Sequence, residues 1–189
     1  DFEDLVATSA RLRLQVDSLR SSIDAAIGNR DALTGAYGRI EMLPALHDLQ
    51  VLTRHGGLPS SIVFMDVDHL KQINDQHGHP VGDAVLAGVV RHLDLHLRTQ
   101  DKVFRYGGDE FLVALSGADL TTAHEVVSRV RLGLAAKFLI TGPDGSAMQV
   151  TASFGLALLD PDDDVSESIG RADQALLLAK TAGRNRAVA

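Results

Sequence analysis

Several features that are common in proteins are missing from this chain of 189 residues. It has no Cys, which excludes a disulfide scaffold, a thiol nucleophile and a Cys-ligated zinc site. No apolar run reaches the ~20 residues that a membrane-spanning helix needs, and no signal-peptide pattern opens the chain, so we expect a cytoplasmic protein. The first residue is Asp rather than Met. We therefore expect a fragment of a longer protein, whose upstream part can carry a sensor domain or a membrane anchor.

The chain also has fewer positively than negatively charged side chains. The chain has 18 Lys and Arg against 25 Asp and Glu, which gives a net charge of −7. Proteins that hold nucleic acid through its phosphates need a surplus of positive charge, so we expect no nucleic-acid partner. An anionic small molecule fits this chain only where a metal cation or local Lys and Arg side chains offset the repulsion. Apolar residues make up 45% of the chain, which is typical of a globular protein.

Residues 1–30 have the pattern of a signalling coiled coil. Read in heptads, seven of the eight seam positions are apolar, and a stripe this narrow favours a parallel two-stranded coiled coil and hence a homodimer. The alternative is one amphipathic helix that packs on its own domain. Gly28 and Asn29 mark the end of this long helix, and the remaining domain is predicted over 31–189. The seam residues are Phe2, Leu5, Ser9, Leu12, Val16, Leu19, Ile23 and Ala26.

The hydrophobic periodicity of the domain predicts helices and strands in mixed order. Glycine-rich turns at 107–110 and 142–145 are typical of β-hairpins. Hairpins with helices between them indicate an α+β fold, a two-layer domain whose mainly antiparallel sheet is flanked by helices. The helices are predicted over 38–55, 69–77, 83–98, 120–138 and 166–182, and the strands over 61–67, 102–106, 111–115, 137–141 and 148–158.

Acidic residues stand at the ends of two strands that are too apolar to be exposed. Asp66 and Asp68 end the strand 61–67, and the strand period places them on one face, while Asp109 and Glu110 occupy the tip of the glycine hairpin. Such carboxylates repel one another unless a cation lies between them, and Mg²⁺ binds through carboxylates together with substrate phosphates. The simpler alternative is that each acid caps a turn or, for Asp68, the helix that follows.

Five blocks of the sequence, in order, resemble the GGDEF-domain diguanylate cyclases. The signature block is Arg105-Tyr106-Gly107-Gly108-Asp109-Glu110-Phe111, and the resemblance covers all of 31–189. It implies a ferredoxin-like fold similar to the palm of nucleotidyl cyclases and polymerases. It also implies that two GTP molecules, one on each subunit of a homodimer, are converted into cyclic di-GMP and two pyrophosphates. The other matching blocks are 31–35, 66–75, 78–83 and 172–186.

The resemblance further implies an in-line phosphoryl transfer that depends on two Mg²⁺ or Mn²⁺ ions in each half-site. The metal ligands that it implies are Asp66, the main-chain carbonyl of Val67, Asp109 and Glu110. Asp109, Lys71 and Glu110 form the implied catalytic set, in which Asp109 is the general base for the ribose 3′-hydroxyl and Lys71 stabilises the transition state.

The implied substrate contacts lie at more scattered positions. Asn74 and Asp83 are the implied readers of the guanine edge, although Asp83 can instead be the N-cap of a helix. His79 lines the nucleotide pocket, or else is a solvated loop residue. The remaining implied substrate-binding residues are Gly107 and Gly108, where the main chain would approach a phosphate, and the cations Lys180 and Arg184. For Lys180, the alternative is a solvent-exposed side chain at the end of a helix.

A second site is implied by Arg98-Thr99-Gln100-Asp101, which resembles the RxxD motif of product inhibition in this family. There Arg98 and Asp101 would bind guanine edges of cyclic di-GMP, and Arg129 would join them from a neighbouring domain. Two other functions stay open at this point. One is a non-catalytic effector that binds cyclic di-GMP at Arg98 and Asp101, and the other is a nucleotidyl cyclase that acts on a single NTP.

Overall fold

A computed structural model describes residues 29–137, 139–141 and 147–189 of the chain. The predicted coiled coil over 1–30 lies almost wholly outside the described residues, as does the turn predicted at 142–145. Within the described ranges, no helix is both long and apolar enough to cross a membrane.

A five-stranded sheet forms the centre of the domain, with the strand order β2-β3-β1-β6-β7. All neighbouring pairs are antiparallel except β6 and β7, which are parallel. A separate antiparallel pair is formed by β4 and β5. The strands are β1 (Ser61–Val67), β2 (Lys102–Arg105), β3 (Glu110–Leu115), β4 (Leu139–Thr141), β5 (Ala147–Gln149), β6 (Ala152–Leu158) and β7 (Ala187–Val188). The predicted α+β class with a mainly antiparallel sheet is confirmed.

Helices cover both faces of this sheet. One hydrophobic cluster joins α3 and α4 to the face that carries Val63 and Met65, and a second joins α1 and α5 to the face that carries Ile62 and Phe64. Alternate residues of β1 enter opposite clusters because successive side chains of a strand point to opposite faces. The helices are α1 (Arg39–Gly56), α2 (Leu70–His77), α3 (His79–Asp94), α4 (Leu120–Lys137) and α5 (Val165–Thr181).

The strand β1 is central, and all seven of its residues are buried. It pairs with β3 on one side and with β6 on the other. The helix α5 packs very closely on β6 at Gly155, where a Cβ would collide with the main-chain oxygen of Ala172. This close approach holds the middle of α5, around Ala172 and Leu176, directly against the sheet.

Two predicted elements have wrong boundaries. The helix predicted over 83–98 is α3 (His79–Asp94), which ends four residues before the predicted end. It also begins four residues earlier than predicted, because Gly78 with φ 87° separates it from α2 and Pro80 needs no hydrogen-bond partner in a first turn. The strand predicted over 148–158 is divided between β5 and β6. The break falls at Val150 and Thr151, where Thr151 turns aside to bond with the main chain and the side chain of Asp68.

Candidate active site

The pairing of β1 with β3 brings the predicted acidic residues together. Asp66 lies directly opposite Glu110 in the antiparallel register. One residue further on, the main-chain N–H of Val67 donates to the main-chain oxygen of Asp109 across 3.2 Å. The end of β1 and the tip of the β2–β3 hairpin are therefore joined by main-chain contacts, as the sequence predicted.

Asp66 is a largely buried acid within an excess of negative charge. Its side chain is 13% exposed, and its Oδ2 lies 2.8 Å from Nζ of Lys180 in the last turn of α5. Burial raises the pKa of Asp66, and the neighbouring charges of Asp109 and Glu110 raise it further, while Lys180 lowers it; the net effect is a pKa above the ordinary value. One ammonium group thus does not fully compensate three clustered carboxylates.

This charge imbalance fits a divalent cation. Carboxylates that remain mutually repulsive beside a single lysine are the oxygen ligands that Mg²⁺ and Mn²⁺ prefer. No group of three or more His, Asp or Glu side chains that could hold a metal by themselves occurs in the part of the chain that the structure describes. An ion here would therefore complete its coordination with main-chain oxygen, water or a substrate phosphate, as is usual for Mg²⁺.

Asp68 has a structural function, and the alternative that it caps the following helix is wrong. Its carboxylate is buried and accepts hydrogen bonds from Thr151 Oγ1 at 2.8 Å, Ser153 Oγ at 2.7 Å and the main-chain N–H of Asn185 at 3.1 Å. The N-cap of α2 is His69, whose side chain makes no capping bond. Asp66 and Asp68 therefore serve separate purposes although they are two residues apart.

The glycine turn leaves its main chain accessible on one side. The N–H groups of Tyr106 and Gly107 both bond to the main-chain oxygen of Glu110, at 2.9 Å and 3.2 Å. The Glu110 side chain lies over Gly107, where a Cβ would come within 2.9 Å of Oε2, whereas a Cβ on Gly108 would meet nothing within 4 Å. Space for a phosphate thus exists beside Gly108.

Asn74 packs against the main chain of α3 at Gly82. A Cβ at Gly82 would collide with the Asn74 side-chain oxygen, so only glycine admits the amide at this position. That oxygen is buried without a hydrogen-bond partner among the described residues. Asp83 follows Gly82 and is exposed in the second turn of α3, so the alternative that it is the N-cap of a helix is wrong.

The remaining predicted substrate residues are exposed. Lys71 lies in the first turn of α2, His79 begins α3, and Arg184 follows α5 with a left-handed φ of 60°. The main-chain N–H of Arg184 donates to the oxygen of Ala179, which folds the chain back over the end of α5. Within the described residues, no hydrogen bond or ion pair joins the side chains of Lys71, His79 and Arg184 to the acidic cluster.

Arg98 and Asp101 lie apart from the acidic cluster, in a cleft of about 640 Å³. The Asp101 carboxylate accepts from the main-chain N–H groups of Arg98 at 2.9 Å and Ser116 at 3.1 Å, so it also fixes the turn before β2. The cleft further contains Arg30, which sequence reasoning missed. Arg129 is exposed on α4 and does not line the cleft.

Two further residues next to the site were not assigned a function from the sequence. Arg105 and Asp31 form an ion pair at 2.9 Å, and Arg105 also binds the main chain of the glycine turn. Both residues belong to blocks that resemble the family, and the position of Arg105 two residues before the glycine turn was the sequence signal that could have indicated its function.

The chain matches a family model described as "Diguanylate cyclase, GGDEF domain" over residues 28–186. The response regulator PleD of Caulobacter vibrioides is 32% identical over 189 residues, which cover 95% of this chain and 42% of PleD. The chain therefore spans less than half the length of this curated relative.

Two solved structures have the same fold. The diguanylate cyclase SiaD of Pseudomonas aeruginosa, in complex with its activator SiaC, has a TM-score of 0.81 and 33% identity, with 97% of this chain and 71% of that chain covered. The GGDEF domain of DgcB from Caulobacter crescentus, in complex with c-di-GMP, has a TM-score of 0.80 and 25% identity, with 85% and 92% covered. A family match over residues 28–186, together with a shared fold, leads to one conclusion: this chain belongs to the family of GGDEF-domain diguanylate cyclases.

Proposed function

We propose that this chain converts two GTP molecules into cyclic di-GMP and two pyrophosphates. The observation that carries the proposal is the buried Asp66 carboxylate beside the Asp109 and Glu110 turn, with incomplete charge compensation by Lys180. Such a cluster is costly to stability unless it binds cations and a triphosphate. The family membership supports the same activity.

The reaction needs a positioned acceptor for one proton. In the proposed step, the 3′-hydroxyl oxygen of one GTP attacks the α-phosphorus of the other, pyrophosphate leaves, and the hydroxyl proton passes to the Asp109 carboxylate. Asp66, the Val67 carbonyl, Asp109 and Glu110 would hold Mg²⁺ or Mn²⁺, two ions in each half-site. Bound there, the ions would neutralise charge on the attacking and leaving oxygens. Because the two GTP molecules react with each other, two chains must face one another as a homodimer.

Exposed cations would bind the phosphates of GTP. Lys71 at the start of α2 and Arg184 after α5 are exposed and would contact the triphosphate, and Lys71 would stabilise the charge of the transition state. Lys180 pairs with Asp66 and would be available to a phosphate once a metal ion takes its place beside that carboxylate. Gly107 and Gly108 would let the phosphate approach the main chain.

Guanine selection is assigned to the Asn74 region. The buried, unpartnered oxygen of Asn74 can accept from the N1–H or N2–H₂ groups of guanine, which adenine lacks. The exposed carboxylate of Asp83, one residue after Gly82, would accept from the same edge. His79 at the start of α3 would line the pocket.

The decisive experiment is to incubate the protein with GTP and MgCl₂ and to identify the product by mass. Cyclic di-GMP is expected from GTP, and no cyclic dinucleotide is expected from ATP alone. The Asp109→Asn variant should lose turnover but keep its thermal unfolding midpoint. Asp162→Asn, which changes an acid that is 85% exposed in the loop before α5, is the matched control and should retain turnover. Full turnover by Asp109→Asn would contradict the catalytic assignment.

We also propose that the product inhibits the enzyme by binding in the cleft that contains Arg98 and Asp101. There Arg98, whose side chain makes no bond to another described residue, would bind the guanine edge of cyclic di-GMP, with Asp101 beside it and Arg129 supplied by a neighbouring domain. Because this cleft shares no residue with the acidic cluster, the product would act by holding subunits apart rather than by direct competition. In the full-length protein, an upstream sensor would control the dimer through residues 1–30.

A further inference from the structure

Arg105 contacts two separate parts of the chain with one guanidinium group. It ends β2, two residues before the glycine turn, and its Nη2 donates to the Gly108 carbonyl at 2.9 Å while its Nε donates to the Gly107 carbonyl at 3.3 Å. Its Nη1 lies 2.9 Å from both carboxylate oxygens of Asp31, which is 74 positions earlier in the sequence. The side chain thus connects the catalytic turn to the beginning of the domain.

Asp31 is itself held in place by its own turn. Its Oδ1 accepts from the main-chain N–H of Thr34 at 2.9 Å and from Thr34 Oγ1 at 2.7 Å, and its main-chain N–H donates to Ala36. Burial raises the pKa of Asp31, but the hydrogen bonds from Thr34 and Arg105 outweigh it and leave the pKa below its ordinary value. The carboxylate is therefore ionised at neutral pH and presents a fixed negative charge to Arg105.

The segment 29–38 is also attached to the edge of the sheet. The main-chain N–H of Tyr37 donates to Val103, and the N–H of Arg105 donates to Tyr37, each at 2.8 Å. These bonds place Asp31 beside the end of β2, where the side chain of Arg105 can reach it. The ion pair is partly buried, with the side chains 20% and 24% exposed, so solvent screens it less than a surface pair.

We propose that Arg105 and Asp31 act as one unit that positions the catalytic turn, and that they make the geometry of the turn depend on the segment 29–38. Consecutive glycines give the turn little rigidity of its own, because glycine has access to many main-chain conformations. The planar guanidinium of Arg105 has five N–H donors in a fixed fork and makes four hydrogen bonds here, to two carbonyls and to both oxygens of a carboxylate, whereas an ammonium group has only three donors and no such fixed plane. Fixing the carbonyls of Gly107 and Gly108 fixes the direction in which Asp109 leaves the turn.

This proposal rests on the proposed cyclase activity and adds two positioning residues to it. Neither residue needs to touch GTP in this function. A small displacement of a reacting group is enough to lower a rate about 100-fold. Loss of the contacts between Arg105, Asp31 and the glycine turn should therefore affect the chemical step more than GTP binding.

The first test is a double-mutant cycle on turnover in the 189-residue chain. The variants are Arg105→Lys, Asp31→Asn and both together; Asp31→Asn keeps an oxygen that can accept from Thr34. Each single variant should lower kcat at least about tenfold with a much smaller change in the KM for GTP, and the double variant should be no slower than the slower single. A kcat within about twofold of wild type, or losses that multiply in the double variant, would overturn the proposal.

The matched control is the ion pair between Arg171 and Asp163, which has the same 2.9 Å separation but makes no bond to the glycine turn, since Arg171 bonds only to Asp163 and Ser168 among the described residues. Arg171→Lys should leave kcat unchanged. Thermal unfolding of every variant separates a loss of positioning from a loss of folding.

The second test does not depend on activity. Hydrogen exchange of the peptide that covers 105–111 reports the N–H groups of Tyr106 and Gly107, which bond within the turn. Asp31→Asn should accelerate their exchange several-fold without GTP, and Arg171→Lys should not. An unchanged exchange rate in Asp31→Asn would overturn the proposal that Asp31 and Arg105 position the turn. If the wild-type protein makes no cyclic di-GMP, the proposed function fails. The exchange measurement still tests whether Asp31 and Arg105 position the turn.

Discussion

Nζ of Lys180 lies 2.8 Å from Oδ2 of Asp66, so the last turn of α5 supplies the cation nearest to the acidic end of β1. The pKa of Asp66 nevertheless stays above its ordinary value because burial and the charges of Asp109 and Glu110 outweigh the lysine. The ionised form of Asp66 is therefore less favourable in the folded protein than in the unfolded chain. A destabilised charge of this kind is typical of a functional site.

The Asp66→Asn variant should be more stable than the wild type at pH 7 and inactive. Since the folded pKa of Asp66 is raised, its contribution to stability is complete below the unfolded value of 3.8 and is lost as the pH rises through the folded pKa. Removing the charge should raise the free energy of unfolding at pH 7 by up to about 1 kcal/mol, and the gain should vanish in acid. Thermal unfolding between pH 3 and pH 8 measures this effect. A lower midpoint at pH 7 would contradict the electrostatic account.

The Lys180→Met variant should have the opposite effect on stability. It leaves Asp66 without the one cation that pairs with it among the described residues, and at pH 7 we expect a loss of about 1 kcal/mol. In the Asp66→Asn background the same change should cost less than about 0.5 kcal/mol. Urea unfolding of the four proteins gives the coupling energy, and equal losses in both backgrounds would show that the pair has no net electrostatic interaction.

The Gly82→Ala variant should lower GTP use because the new methyl group displaces the Asn74 amide. We expect kcat/KM for GTP to fall at least about tenfold and the free energy of unfolding to fall by about 1–3 kcal/mol. Replacing Asn74 by Ala in the same protein should restore stability but not GTP use. Gly170→Ala on α5, where a Cβ meets nothing within 4 Å, is the control and should keep full activity.

The Asp68→Ala variant should be among the least stable in this domain. Three donors on β6, on the segment before it and on the chain after α5 would lose their acceptor, which predicts a loss of about 3 kcal/mol or more. Asp75→Ala, which removes an exposed acid from α2, should change stability by less than about 0.5 kcal/mol. Chemical denaturation of both variants makes the comparison, and similar losses would refute the structural function of Asp68.

The Arg98→Ala variant should relieve product inhibition. Its progress curve with GTP should stay linear after the wild-type curve has flattened, with an unchanged initial rate because the cleft lies apart from the acidic cluster. Arg91→Ala removes an exposed arginine of α3 outside the cleft and should behave as the wild type. Identical curvature for Arg98→Ala and the wild type would argue against an inhibitory site at Arg98.

The sequence alone determined the positions of the acids and the order and type of most elements, but not β7 or the division of the strand predicted over 148–158 into β5 and β6. The strand β1 has the bounds that were predicted, and the glycine turn before β3 was recognised, because apolar runs and turn residues act locally. The resemblance to the family rests on short blocks that need no tertiary structure to be read. The start of α3 was missed since a glycine with positive φ and a first-turn proline allow a helix where the local pattern predicts a loop.

Only the tertiary structure decided which partner each charged residue has. The strand period places Asp66 and Asp68 on one face and does not predict that Asp66 meets Lys180 while Asp68 meets Thr151, Ser153 and Asn185. The link between Asp31 and Arg105 spans 74 positions in the chain and was equally invisible. The physical reason is that hydrogen bonds and ion pairs depend on distances of a few ångströms, which are set only when the sheet register and the packing of α5 bring remote segments together.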